Sequence, residues 1–477
     1  MIHKGKTKIV ATLGPASSSY EVIYKLIKEG ASMFRLNTSH GTADSHLEKI
    51  INIRKAAREL ETYIPVLVDL QGPKIRVGNL PEPIEITKGE KVRLKACEYV
   101  HGLIPVDYTG IADDVNVGDK ILLDDGKVGL EVLSISDCTV QAKVLYGDLI
   151  YPRKGINLPD TTSSLESVTP RDIEFIKFAI GNNADYIAQS FVRTSEDIES
   201  VKKYISDFGG KIPVIAKIEK PQAVENLEEI VKAADGIMIA RGDLGIEMSP
   251  EEIPIVQKII IKESLKHRKV CIVATQMLET MMEEPIPTRA EACDVANAIM
   301  DGADAVMLSG ETAAGKYPVE AVSMMRKIAD NTENSKFCSY DLSLDVNDDY
   351  ELSPQAIANA AVKMAQDLHA KAILAFTHTG YTPKLLAKLR SSVPVMAISD
   401  LEQTCRRLNL YWGLDTYFKE WDEVLGHSML EKIDEFLFEK TNLKKDERII
   451  IIGSIPKLIT GRTNFIRVHR IGAPEGR

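Results

Sequence analysis

The sequence predicts a TIM (β/α)8 barrel that carries an inserted small β-barrel lid domain and a C-terminal α/β domain. Three observations lead there. Eight short apolar runs alternate with amphipathic segments, a stretch over residues 73–157 breaks that alternation, and polar side chains gather where the apolar runs end.

The eight runs are Lys6–Gly14, Ser32–His40, Ile64–Gly72, Ala184–Phe191, Ile212–Glu219, Gly236–Gly245, Lys269–Met277 and Ala303–Glu311. Their interiors (IVATL, VLVDL, IVAT) are continuously apolar, as parallel strands covered on both faces require. Helical spacing lies between them. Ser19–Gly30 places Val22, Ile23, Leu26 and Ile27 on one face. Thr169–Gly181 opens with a capping threonine followed by proline. Pro221–Ala234, Ala290–Gly302 and Pro318–Asn331 continue the series. A doubly wound sheet is the competing layout, but eight strands favour closure.

The break contains β-patterned runs at Ile84–Thr87, Lys91–Lys95, Lys120–Leu123, Val128–Ser134 and Thr139–Leu145. It reads as a β domain inserted after strand three, placed to act as a lid. The expected division is 1–72 plus 158–333 for the barrel, 73–157 for the lid and 350–477 for the C-terminal domain. A polar stretch, Asn334–Glu351, reads as a linker. Beyond it come a helix at Ser353–Leu368 and strands Ala370–Thr377, Val393–Ile398, Arg448–Gly453 and Phe465–Arg470.

Composition narrows the function classes. The formal charge of −10 argues against a nucleic-acid binder, although a local cationic cluster can still hold a small phosphate. No apolar run approaches the ~20 residues a membrane span needs. The N-terminal stretch Met1–Gly14 has neither a long apolar segment nor a small-residue cleavage site. The six cysteines are scattered and form no Cys-x-x-Cys pair. The expectation is a cytoplasmic protein without disulfides or zinc.

Barrel enzymes work at the carboxyl ends of their strands. Here those ends carry Arg35, Asn37, Ser39 and His40; Asp69, Lys74 and Arg76; Gln189 and Ser190; Lys217 and Glu219; Arg241, Gly242 and Asp243; Thr275 and Gln276; Ser309 and Glu311. The cations suit an anionic substrate. Glu219 and Asp243, hard oxygen donors, suit magnesium or manganese rather than zinc. Cations and a metal with no protein nucleophile describe phosphoryl transfer by positioning and charge neutralisation. Plainer readings stand beside these. Arg241–Asp243 and Lys217–Glu219 could be structural ion pairs, Asp69 a cap, and His40 a hydrogen-bonded structural histidine.

The segments KIVATLGPAS (8–17), FRLNTSHG (34–41), DLQGPKIRVG (69–78), KGINLPD (154–160), AQSFVR (188–193), AKIEK (216–220), IARGDLGIE (239–247), ATQMLETM (274–281), PTRAE (287–291) and MLSGETAAGKYP (307–318) resemble the pyruvate kinase family in order and spacing. The resemblance implies transfer of a phosphoryl group from phosphoenolpyruvate to ADP, giving pyruvate and ATP. It implies Glu219 and Asp243 as ligands of Mg2+ or Mn2+, and Lys217 as the cation on the phosphoryl group in flight. Arg35 holds the phosphate. The Gly242 and Asp243 amides with the Thr275 hydroxyl hold the substrate carboxylate, and Thr275 lies where the enolate is protonated through water. Asn37, His40, Arg76, Lys154 and Asn157 fall on the nucleotide side. Ser190 and Glu311 are supporting positions at the mouth.

One departure is informative. Many members have a glutamate where this chain has Lys74, and bind potassium there. Asn37, Ser39 and Asp69 match three of that ion's ligand positions; the fourth, Leu70, has no side-chain oxygen. A lysine ammonium standing in for the cation implies activity without K+. In the C-terminal region, FTHTGYTP (376–383) resembles a phosphate-binding turn. Thr377, Thr379, Gly380 and Thr382, with Lys384, Lys457 and Arg462, are candidates for a phosphorylated allosteric effector. The resemblance also implies a homotetramer. Two other functions compete. A class I aldolase would use Lys217 as a Schiff base but leaves Glu219 and Asp243 unexplained. A catalytically dead regulatory homologue conflicts with the presence of Lys217, Glu219, Asp243, Arg35 and Thr275.

Overall fold

The computed structural model describes residues 5–161, 164–338, 349–420, 427–454 and 462–473. Its centre is a closed barrel of eight parallel strands: Lys8–Thr12, Ala31–Asn37, Val66–Asp69, Tyr186–Gln189, Val214–Ile218, Gly236–Ala240, Val270–Ala274 and Ala305–Leu308. Each lies inside one of the expected runs or, for the second, begins one residue before it. Strand residues are buried almost throughout, because the barrel interior takes one face and the helical layer the other.

Two expected strand runs end in helix rather than strand. Strand six stops at Ala240, and Arg241–Glu247 is a helix. Strand eight stops at Leu308, with a helical turn at Gly310–Ala313. Pro221–Ala234 divides at Asn226 into Pro221–Glu225 and Leu227–Ala233. Thr169 caps Pro170–Gly181 as expected, its hydroxyl accepting from the Asp172 amide. Ala43–Glu59, Ser195–Asp207 and Ile253–Lys266 are further helices not singled out above. Ala43–Glu59 hides its inner face behind small or polar residues, His46, Ala56 and Ala57 beside Ile50 and Ile53, so its apolar stripe is faint.

The insertion forms a seven-stranded, mainly antiparallel sheet. Its edge pairs Ile75–Arg76 with Gly155–Asn157, bringing Arg76 opposite Gly155. The chain leaves strand three and returns to the barrel through this edge. The C-terminal sheet has the order Leu414–Phe418, Val395–Ser399, Ala372–Thr377, Arg448–Gly453, Phe465–Arg470, with the last strand antiparallel. Leu414–Phe418 was not foreseen. Its sequence, LDTYF, has only two fully buried positions and reads as a loop.

The barrel interior does not end at the floor. Val10, Met33, Leu67, Ile215 and Met238 belong to one apolar cluster with Leu410, Tyr411, Ile373 and Ile450 of the C-terminal unit. Tyr186 bridges the two, its hydroxyl donating to the Arg407 carbonyl at 2.8 Å. Among the described residues no helix is long and apolar enough to cross a membrane.

Candidate active site

The carboxyl ends of strands two to five converge on a buried ion cluster. Arg35 Nε meets Asp69 Oδ2 at 2.6 Å. Lys217 Nζ lies 3.4 Å from Asp69 Oδ1, 2.8 Å from Glu219 Oε1 and 2.7 Å from Ser190 Oγ. Strand pairing explains the gathering: Asn37 and Ala188 both register with Asp69, and Ala188 registers with Ile215 two residues before Lys217. Lys217 and Glu219 are two residues apart, so both project into the mouth. Asp69 is therefore part of the cluster rather than a cap. The Lys217–Glu219 ion pair exists, but inside a larger assembly. Thr12 Oγ1 accepts from Arg35 Nη1 and fixes the guanidinium from strand one.

Electrostatics follows burial. Burial would raise Asp69, but Lys217 and Arg35 outweigh it and hold the carboxyl below the usual range. Burial would discharge Lys217, yet Asp69 and Glu219 hold its ammonium well above the ordinary lysine value. Glu219 differs: burial pushes it up, Lys217 pulls it down, and the Asp243 carboxylate pushes it up again, leaving it raised. Glu219 and Asp243 thus feel each other across the mouth with one cation on Glu219. A carboxylate pair short of positive charge fits a divalent cation.

The opposite wall comes from strands six and seven. Arg241 does not pair with Asp243. It pairs with Asp294 at 2.6 Å and donates through Nη2 to the carbonyls of Thr275 and Gln276 at 3.0 and 3.1 Å. Its charge is spent on the wall, not offered to a substrate. Thr275 and Gln276 have φ of 65° and 53°, a conformation that costs a β-branched residue free energy, and Arg241 holds both carbonyls in it. The turn delivers Thr275 Oγ1 to the Gly242 amide at 2.7 Å. Phe191, also at positive φ, donates its amide to Glu219 Oε2 at 2.7 Å. Glu311 is buried and accepts the Leu278 and Ser309 amides, tying strand eight to the same wall.

The nucleotide-side candidates separate into two groups. Arg76, Lys154 and Asn157 lie on the lid edge. Arg76 Nη1 donates to the Arg153 carbonyl at 3.2 Å, Lys154 pairs with Asp124 at 2.9 Å, and Asn157 donates to Glu247 at 2.8 Å. His40 and Asn37 lie at the end of strand two. The His40 ring is exposed, and its carbonyl accepts from His46, so the structural histidine is the buried His46. Lys220, 2.9 Å from Glu247, joins Asn157 there and was missed. These three residues are far apart in sequence, and nothing local links them.

Asn37, Ser39 and Asp69 meet at the ends of strands two and three, with the Ser39 amide on Asn37 Oδ1 at 3.1 Å. Lys74 makes no ion pair among the described residues, and its side chain lies against Gly155 of the lid edge. The effector candidates also divide. Thr377 accepts the Gly380 amide at 2.9 Å, and Thr382 bonds Thr463. Lys384 instead faces the barrel floor beside Tyr411. Lys457 lies outside the described residues.

The fold and this mouth define a TIM-barrel enzyme with a cationic, carboxylate-bearing active cleft beneath a β lid. Family models agree in detail: the pyruvate kinase barrel domain matches residues 4–322, and the pyruvate kinase alpha/beta domain matches residues 355–469. A pyruvate kinase from Mycobacterium intracellulare is 42% identical over 471 residues, covering 98% of this chain and 99% of that one. One from Thermotoga maritima is 41% identical over 472 residues, covering 98% and 99%. A crystal structure of a pyruvate kinase from Cryptosporidium parvum superposes with a TM-score of 0.89 at 32% identity, covering 98% of this chain and 96% of that one. The chain belongs to the pyruvate kinase family. Its reaction is phosphoryl transfer from phosphoenolpyruvate to ADP, the last step of glycolysis. The family generally uses Mg2+ or Mn2+.

Proposed function

We propose that the Asp69–Lys217–Glu219 cluster is where the phosphoryl group changes hands, with Arg35 and Lys217 on its oxygens. The observation that carries this is the Lys217 ammonium, buried between two carboxylates yet held charged. A fixed ammonium in a water-poor site stabilises charge developing on equatorial oxygens without reorganising. Ser190 orients it by accepting one of its protons. Glu219 and Asp243 would hold a divalent cation, which when bound neutralises phosphate charge. The Gly242 and Asp243 amides and the Thr275 hydroxyl receive the substrate carboxylate, where a short helix begins against the braced turn. Thr275 positions water to protonate the enolate. Arg76, Lys154, Asn157, His40 and Asn37 face the nucleotide as the lid edge closes.

A lactate dehydrogenase-coupled assay of Lys217→Met, beside a direct phosphoenolpyruvate-binding measurement, tests this reading. Turnover should collapse while binding and fold persist; loss of binding or of fold instead refutes the assignment.

The finer readings rest on residues. Lys74 in place of a glutamate supports activity without K+, and a large rise in rate when potassium replaces sodium would defeat it. The turn at Thr377–Thr382, with Arg462 next in sequence to Thr463, which bonds Thr382, supports a phosphorylated effector. A homotetramer and a cytoplasmic location follow from the family's pattern.

A further inference from the structure

Three aspartates stand on the barrel floor, just before strands four, six and eight, and each carboxylate accepts the amide of the first or second residue of a neighbouring strand. Asp185 takes Val66, Asp235 takes Val214 and Asp304 takes Cys271, all at 2.9 Å. At two of the three, cations of the C-terminal unit dock directly on the carboxylate. Arg406 meets Asp185 at 2.8 Å, and Lys388 and Arg390 meet Asp304. The middle aspartate is different. The ion pair Asp235 makes among the described residues is with the barrel's own Lys202, at 3.8 Å.

Between Asp235 and the C-terminal unit a cleft of ≈ 280 Å³ opens instead, with Lys269 and Arg268 on the barrel side and Lys384 and Arg407 on the other. Lys384 makes no ion pair among the described residues; its ammonium rests 5.4 Å from the Tyr411 ring centroid. Lys269 is held by the Ala234 carbonyl, and Arg407 donates one nitrogen to the Lys211 carbonyl while its buried Nε has no acceptor. Burial lowers all three; Asp235 pulls each partly back up, while Arg407 and Lys269 push Lys384 further down, Lys202 pushes down Lys269 and Arg406 pushes down Arg407. Lys384, Lys269 and Arg407 around one carboxylate that Lys202 already engages leave a positive excess in a half-desolvated space, which a multiply charged anion relieves.

We propose that this seam cleft binds a small phosphomonoester, its phosphate between Lys384, Lys269 and Arg407 and its organic body toward Tyr381 and Tyr411. The cleft meets the Thr377–Thr382 turn at Thr379 and Tyr381, while Thr377 and Thr382 bond within the C-terminal unit, so it lies on the barrel side of that turn. A ligand in it joins barrel floor to C-terminal unit at the one floor aspartate where protein cations do not.

Isothermal titration with inorganic phosphate tests this on the full chain, with phosphoenolpyruvate and magnesium saturating the active cleft. The titration should show a phosphate site of one per chain that Lys384→Met and Arg407→Met each weaken at least tenfold while melting cooperatively. Absence of binding, or unchanged affinity in a folded variant of each, overturns the proposal. Crystals soaked in phosphate give a reading without mutation: density between Lys384, Lys269 and Arg407 supports the site, and an empty cleft refutes it.

Discussion

At the mouth of the barrel, Asp69 sits between Arg35 and Lys217; at the floor, Asp304 sits between Lys388 and Arg390. The ingredients are nearly the same, and both carboxyls are held below their usual range by cations that outweigh burial. The outcomes differ because of what else is present. Lys217 faces a second carboxylate, Glu219, and beyond it Asp243, so its ammonium is secured and the carboxylates retain capacity for another cation. Lys388 has one carboxylate and an arginine beside it, and burial leaves its ammonium below the ordinary value. The floor cluster is fully buried and closed. The mouth cluster is buried on the protein side and bordered by half-exposed Asp243, Gly242 and Asn37. A buried ion cluster is structural when its charges are saturated within the fold, and chemical when one side is left for a substrate.

The contrast is broken most directly at Lys217. Lys217→Met should lower kcat by roughly three orders of magnitude, the scale of removing a group that stabilises transition-state charge. Steady-state kinetics measures it, and a loss below tenfold would make the mouth no more chemical than the floor. The matching change at the floor, Asp304→Asn, leaves two buried cations facing a neutral amide. It should cost about 3 kcal/mol in urea unfolding while kcat of the folded enzyme stays near wild type. Arg241→Met sharpens the comparison from the opposite wall. Freed from Arg241, the Thr275–Gln276 turn should relax, lowering kcat by about two orders of magnitude. The Gly242–Thr275 contact should lengthen in a crystal structure of that variant.

Acid separates the two regions least. Asp304 has a depressed folded pKa, so its stabilisation is complete above the ordinary carboxylate value, near ~4, and is lost as pH falls through the depressed one. Asp304→Asn should therefore show a shallower loss of stability than wild type below roughly pH 4. Unfolding free energies measured across that range decide it; parallel curves would mean that Asp304 does not titrate with unfolding.

Much of the barrel was legible because parallel strands buried on both faces are written as unbroken apolar runs, as in IVATL and VLVDL. The candidate site was legible as residues but not as contacts. Arg241 illustrates the limit: two residues from Asp243, it suggests a local pair, yet it bonds Asp294, 53 residues away. Glu247 and Lys220 were passed over for the same reason, and His40 and His46 exchanged the role expected of one of them.

By itself the chain determined where strands begin, that a β insertion follows strand three, and that acids and cations end the strands, because periodicity and polarity are local properties. Only the tertiary structure decided which acid meets which cation. Closure of the barrel sets those distances, and it also decided that the floor is shared with a second unit whose cations saturate two aspartates and stop short of a third.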